Sequence, residues 1–112
     1  MQKPIPFQIY LSTIISACLY MESFGFTNHC ESLITKDWLR RHVALKLEIY
    51  SKDYPNDFVI TKTGRFCWEY RFEAAMVRLL DMQCLSQEYP VPSDWQGNRY
   101  YLTDYGRALK WV

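Results

Sequence analysis

The chain lacks most of the signatures that announce an activity. It has no G-x-S-x-G, no P-loop, no H-E-x-x-H and no dinucleotide fingerprint, so the chemistries those motifs anchor have no foothold. Only two histidines are present, His29 and His42, and neither has an obvious nucleophile partner nearby in sequence. The carboxylates are scattered and each reads as part of a solvated helix face. No catalytic residues are expected. The four cysteines, Cys18, Cys30, Cys67 and Cys84, form no CxxC pair. Metal sites need closely spaced ligands, and His29-Cys30 with His42 is the nearest approach. The thiols therefore read as reduced and partly buried, and no metal or other cofactor is expected. Charge of one sign is also missing. The formal net charge is +1, whereas a dedicated nucleic-acid binder carries a clear basic excess, so phosphate contacts have to come from local clusters. Internal repeats, low-complexity stretches and linkers are absent too.

The N-terminal apolar run is too short and too rich in Ser and Thr to span a bilayer. Met1-Gln2-Lys3 followed by a run ending at Ile15 to Cys18 resembles the outline of a lipoprotein signal peptide. Pro4, Pro6 and Gln8 interrupt that run, which favours a structural first helix. The expectation is a soluble cytoplasmic protein with no membrane partner, and nothing in the sequence marks a small-molecule substrate.

What the chain does have is an apolar share of 49% with nine tyrosines and four tryptophans in 112 residues. That suffices for one packed domain over residues 1–112. It also leaves aromatic rings to spare for half-exposed positions, where one apolar face and one wet edge suit a partner.

Residues 7 to 24 are apolar nearly all round, as in a helix central to a core, with Gly25 as its stop. Thr35 caps a second helix in which Leu39, Val43, Leu47 and Tyr50 form a stripe and Lys36, Arg40 and Arg41 form a basic solvated face. Pro55-Asn56-Asp57 and Thr63-Gly64 are turn chemistry, with Phe58 to Thr61 extended between them. A third helix is predicted from about Phe66 to Ser86, with Trp68, Phe72, Ala75, Met76, Leu79 and Leu80 at three- and four-residue steps. Two strands, Leu85 to Tyr89 and Arg99 to Leu102, flank a loop with Pro90, Pro92 and Gly97 and read as a β-hairpin. Thr103 then caps a final helix, Asp104 to Trp111. Gly106 costs helix propensity, so its presence predicts close approach by another element.

The order helix, helix, helix, hairpin, short helix gives an α+β class, mostly helical. Residues 65 to 111 resemble the second half of a winged helix-turn-helix domain. Met76, Leu79, Leu80 and Leu85 stand at its helix and first-strand positions, and Tyr101-Leu102-Thr103 with Gly106-Arg107-Ala108-Leu109 matches its ending. The resemblance covers about 45 residues and implies a winged-helix fold with three main helices, a C-terminal β-hairpin wing and a short final helix. One departure concerns the motif helices, which such domains join by three or four residues. Here about 14 residues separate Ser51 from Phe66, a connection similar to that of the N-terminal winged-helix module of Mrr-type restriction enzymes.

The resemblance implies binding of double-stranded DNA by a small transcriptional regulator or accessory factor, with the third helix in the major groove and the hairpin tip at the minor groove or backbone. Arg65, Arg71, Arg78 and Arg99 would be the contacts, with Lys62 adding a phosphate contact. Residues 66 to 86, however, hold two arginines against Glu69, Glu73 and Asp81, and the wing carries Asp94 and Trp95. Acids at those places repel phosphate. The competing expectation is a protein-binding module with Tyr54, Tyr89, Trp95 and Tyr100 as its aromatic contacts. Its possible forms include a homodimer through helix one and a small inhibitor or accessory factor from a phage or mobile element.

Overall fold

A computed structural model describes residues 3–24, 34–88 and 99–109. The architecture is α+β and mostly helical, with α1 (Phe7–Glu22), α2 (Lys36–Leu47), α3 (Cys67–Asp81), β1 (Leu85–Glu88), β2 (Arg99–Leu102) and α4 (Asp104–Ala108). The two strands form one antiparallel hairpin in the register Leu85↔Leu102, Ser86↔Tyr101, Gln87↔Tyr100 and Glu88↔Arg99. The other edge of β2 is met by the chain entering α2. Thr35 bridges Arg99, and the Tyr100 amide donates to the Ile34 carbonyl at 2.9 Å.

Helix α1 buries a broad face of Tyr10, Leu11, Ile14, Ile15, Ala17 and Cys18, and packs against α2, α3, β2 and α4. It is not covered all round. Ser16, Leu19 and Tyr20 stay exposed, because those helices approach from one side only. The helix ends at Glu22, and the Gly25 expected to stop it lies outside the described residues.

Helix α2 starts as its sequence predicts. Thr35 Oγ1 accepts from the Trp38 amide at 3.1 Å, and Leu39, Val43 and Leu47 enter the core at four-residue steps. A 3-10 turn, Glu48–Tyr50, continues it. The basic face is not simply solvated. Lys36 pairs with Glu73 at 2.5 Å, Arg40 with Asp37 at 2.8 Å and Glu69 at 3.3 Å, and Arg41 with Asp37 at 3.0 Å.

The long connection to α3 is itself structured. Pro55 opens a 3-10 turn to Phe58, where an extended piece was expected to begin. That turn buries the Asp57 carboxylate, 2% exposed, which accepts from the Tyr10 hydroxyl at 2.5 Å and the Ile5 amide at 3.4 Å. Burial, with Asp57 as acceptor, pushes the Tyr10 phenol far above its ordinary pKa. Ile60 then bridges back to Phe66, and Gly64 supplies the left-handed residue of the turn between them at φ 83°.

Helix α3 is five residues shorter at its end than its periodicity suggested, because Leu85 and Ser86 belong to β1. Gln83 takes a left-handed conformation at φ 62°, its amide donates to Leu80 O at 3.0 Å, and the Cys84 amide reaches Leu79 O at 2.9 Å. This double closure ends a helix as glycine commonly does. At the seam with α4, Thr103 Oγ1 accepts from the Gly106 amide at 3.0 Å while its hydroxyl donates to Gln83 O at 2.5 Å. A side chain at Gly106 would run into the carbonyl of Cys84, so the close approach expected from sequence is present. Arg107 locks α4 to the end of α1 by donating to both carboxylate oxygens of Glu22, at 2.8 and 3.1 Å.

Candidate protein-interaction face

The functional reading turns on the outer face of α3. Its inner face carries Trp68, Phe72, Ala75, Met76 and Leu79 into the core. Outside, at steps of four and three, lie Tyr70, Ala74 and Val77, followed by Arg78 and Asp81. Phe66, one turn before Tyr70, and the Val59-Ile60 segment that pairs with it extend the same surface. Val59, Ile60 and Val77 are 53–61% exposed and Tyr70 is 41% exposed. The structure therefore places five partly exposed apolar or aromatic side chains, Val59, Ile60, Phe66, Tyr70 and Val77, around the beginning and middle of α3.

Tyr70 is held in position. Its hydroxyl meets Thr63 Oγ1, which in turn meets Thr61 Oγ1 at 2.9 Å. The Arg65 guanidinium lies 4.9 Å from its ring centroid. The hydrogen bonds from Thr63 and Thr61 draw the phenol below its ordinary pKa. A ring fixed at face and edge loses little freedom on binding, the property that makes tyrosine an economical contact residue.

The five cations expected to touch DNA are dispersed by the fold. Arg65 sits on Tyr70 and pairs with Glu73 at 3.6 Å. Arg71 turns inward, 3.7 Å from Asp57 and 5.1 Å from the centroid of the Tyr10 ring. Arg99 is half-buried where β2 begins, between Glu88 in the register and the Thr35 bridge. Lys62 and Arg78 remain exposed and make no ion pair among the described residues.

The aromatic contacts predicted from sequence fare differently. Tyr100 is 5% exposed and belongs to the core, because the alternation along β2 turns it and Leu102 inward. This corrects the expectation that it faces a partner. Tyr54 is half-buried beside Tyr50, with ring centroids 6.1 Å apart. Tyr89 and Trp95, with Asp94, lie outside the described residues.

Sequence reasoning missed Val59, Ile60, Phe66, Tyr70 and Val77. The signal was available as a second apolar stripe, Phe66-Tyr70-Ala74-Val77, opposite the stronger one. The stronger stripe masked it.

Among the described residues, no three His, Cys, Asp or Glu side chains converge as metal ligands, and no helix is long and apolar enough to cross a membrane. Cys18, Cys67 and Cys84 are free thiols, and burial pushes Cys18 and Cys84 above their ordinary pKa. No protein-family model, curated protein or solved structure matches the chain.

Proposed function

We propose that this chain is a winged-helix-like module that binds another protein through the outer face of α3 and the adjoining Val59-Ile60 segment. The winged-helix reading is supported by the Ile34-Thr35 contact with β2, which adds a third, minimal member to the hairpin just before α2. The observation that carries protein binding is the apolar outer face of α3, with Arg65 and Arg71 drawn into contacts within the fold. Duplex binding depends on several cations meeting phosphates together. An apolar, preorganised face suits the desolvated centre of a protein interface.

DNA binding is the second reading, favoured by Lys62 and Arg78, which are exposed and make no ion pair among the described residues. One experiment separates the two. The wild-type chain, Val77→Asp and a Leu45→Asp control on exposed α2 surface are used to capture a partner, and each is also titrated with duplex DNA at low and moderate salt. Protein binding predicts a partner retained by wild type and control and weakened at least about tenfold by Val77→Asp. If instead the duplex binds with a steep salt dependence that Arg78→Ala reduces, and no Val77-dependent partner is found, the DNA reading replaces it.

A further inference from the structure

A second feature lies away from the α3 face. Helices α1 and α2 leave between them an open groove of about 440 Å³, within the range of small-molecule sites. Its α1 wall presents Thr13, Ser16 and Tyr20, and its α2 side presents His42, Lys46 and Ile49. The groove has no acidic residue in its lining. The Thr13 and Ser16 hydroxyls make no hydrogen bond, and Lys46 no ion pair, among the described residues. The contrast with the Lys36, Arg40 and Arg65 cluster is direct, since that cluster is neutralised by Asp37, Glu69 and Glu73.

The aromatic part of the groove is ordered as well. The His42 ring centroid lies 5.4 Å from that of Tyr20 and 5.0 Å from that of Trp38, with the planes inclined by 33° and 29°. These contacts back the His42 ring with Trp38, beside a Lys46 ammonium and Thr13 and Ser16 hydroxyls that have no partner among the described residues.

We propose that the α1–α2 groove binds a small aromatic monoanion, a carboxylate carried on an apolar ring. The carboxylate accepts from Lys46 Nζ and from the Ser16 and Thr13 hydroxyls, and the ring lies against Tyr20 and Ile49. A single lysine suits one negative charge better than a polyphosphate. The apolar wall gives a ring an advantage over acetate or inorganic phosphate, and the unpaired ammonium gives an anion an advantage over a neutral ring.

Binding carries a pH signature. Among the described residues, His42 lies against the Tyr20 ring of α1 and close to Lys46 of α2, with the Tyr50 phenol lining the same groove. Burial and then the Lys46 charge hold the imidazole below its ordinary pKa. An anion beside Lys46 offsets that repulsion, so occupancy raises the His42 pKa, and by linkage affinity rises as the pH falls through it.

The test uses the full chain, with amide and His42 ring resonances followed by NMR at constant ionic strength during addition of benzoate. Benzyl alcohol serves as the ring without charge and acetate as the charge without ring. The expected result is a saturable benzoate response at Ser16, Tyr20, His42 and Lys46, weaker responses to both controls, and a rise in the His42 pKa at saturation. Lys46→Met, which keeps the apolar stem at an exposed position, weakens benzoate about fivefold with thermal stability unchanged. Three outcomes overturn the proposal: no saturation by about 20 mM benzoate, well above a millimolar Kd; equal binding of benzyl alcohol; or an unaltered benzoate affinity in Lys46→Met.

Discussion

Replacing Asp57 by alanine should be among the most damaging single changes to this fold, although Asp57 lies in a connection between helices. Its carboxylate is buried and accepts from the Tyr10 hydroxyl at 2.5 Å and from the Ile5 amide at 3.4 Å, with the Arg71 guanidinium 3.7 Å away. Tyr10 is fully buried, so removing its acceptor leaves a hydroxyl without a partner, a loss of about 1–3 kcal/mol. The buried Ile5 amide adds a smaller loss, since its hydrogen bond is already long. Arg71 is 26% exposed and keeps part of its hydration, so its share is held to about 1 kcal/mol or less. Together these predict about 2–5 kcal/mol of destabilisation, or roughly 8–20 °C in Tm for a domain near 100 residues. Denaturant unfolding of Asp57→Ala, Tyr10→Phe and the double variant measures this and the Tyr10–Asp57 coupling, expected at about 1–2 kcal/mol. A loss below about 1 kcal/mol, or additive single effects, would refute the idea that this carboxylate pins the connection to α1. The consequence reaches the candidate site, because Asp57 is two residues from Val59 and positions the segment that extends the α3 face.

Gly106→Ala should cost about 1–3 kcal/mol by chemical unfolding, since the new methyl meets the Cys84 carbonyl, whose backbone cannot swing away as a flexible side chain can. A neutral or stabilising result would mean that the α4 seam is looser than the structure shows. The His42 shift predicts a pH effect on stability. Its folded pKa lies below the unfolded value of about 6.5, so the unfolded chain takes up the proton first, and stability falls as pH drops through 6.5 toward the folded pKa. Melting curves at pH 7.5 and 5.5 should show a smaller acid loss for His42→Gln than for wild type, and equal losses would remove His42 as the cause.

Local features were legible because their physics is local. Thr35 and Thr103 cap helices from their own side chains, β2 alternates as strands do, and the dominant stripe of α3 needs only the helical repeat. Gly106 was readable for a related reason, because a glycine inside a capped helix implies a neighbour even when that neighbour is unknown. The end of α3 was not readable, because Gln83 accepts a left-handed backbone where glycine is the usual marker. Tyr100 was assigned to the surface because the reading weighed its aromatic type and hairpin setting, not its place in the strand alternation.

By itself, the sequence determined a mostly helical α+β chain, its helix starts, its hairpin and the absence of the commonest catalytic motifs. It could not determine which charges stay available. Arg71 meets Asp57, Lys36 meets Glu73, and Arg107 meets Glu22 across 85 positions of chain. An ion pair depends on the distance between two atoms, and only the packing of α1, α2, α3 and α4 sets that distance. The tertiary structure thus decided that Arg65 and Arg71 engage partners within the fold, and that Tyr70, Ala74 and Val77 stay exposed on the outer face of α3.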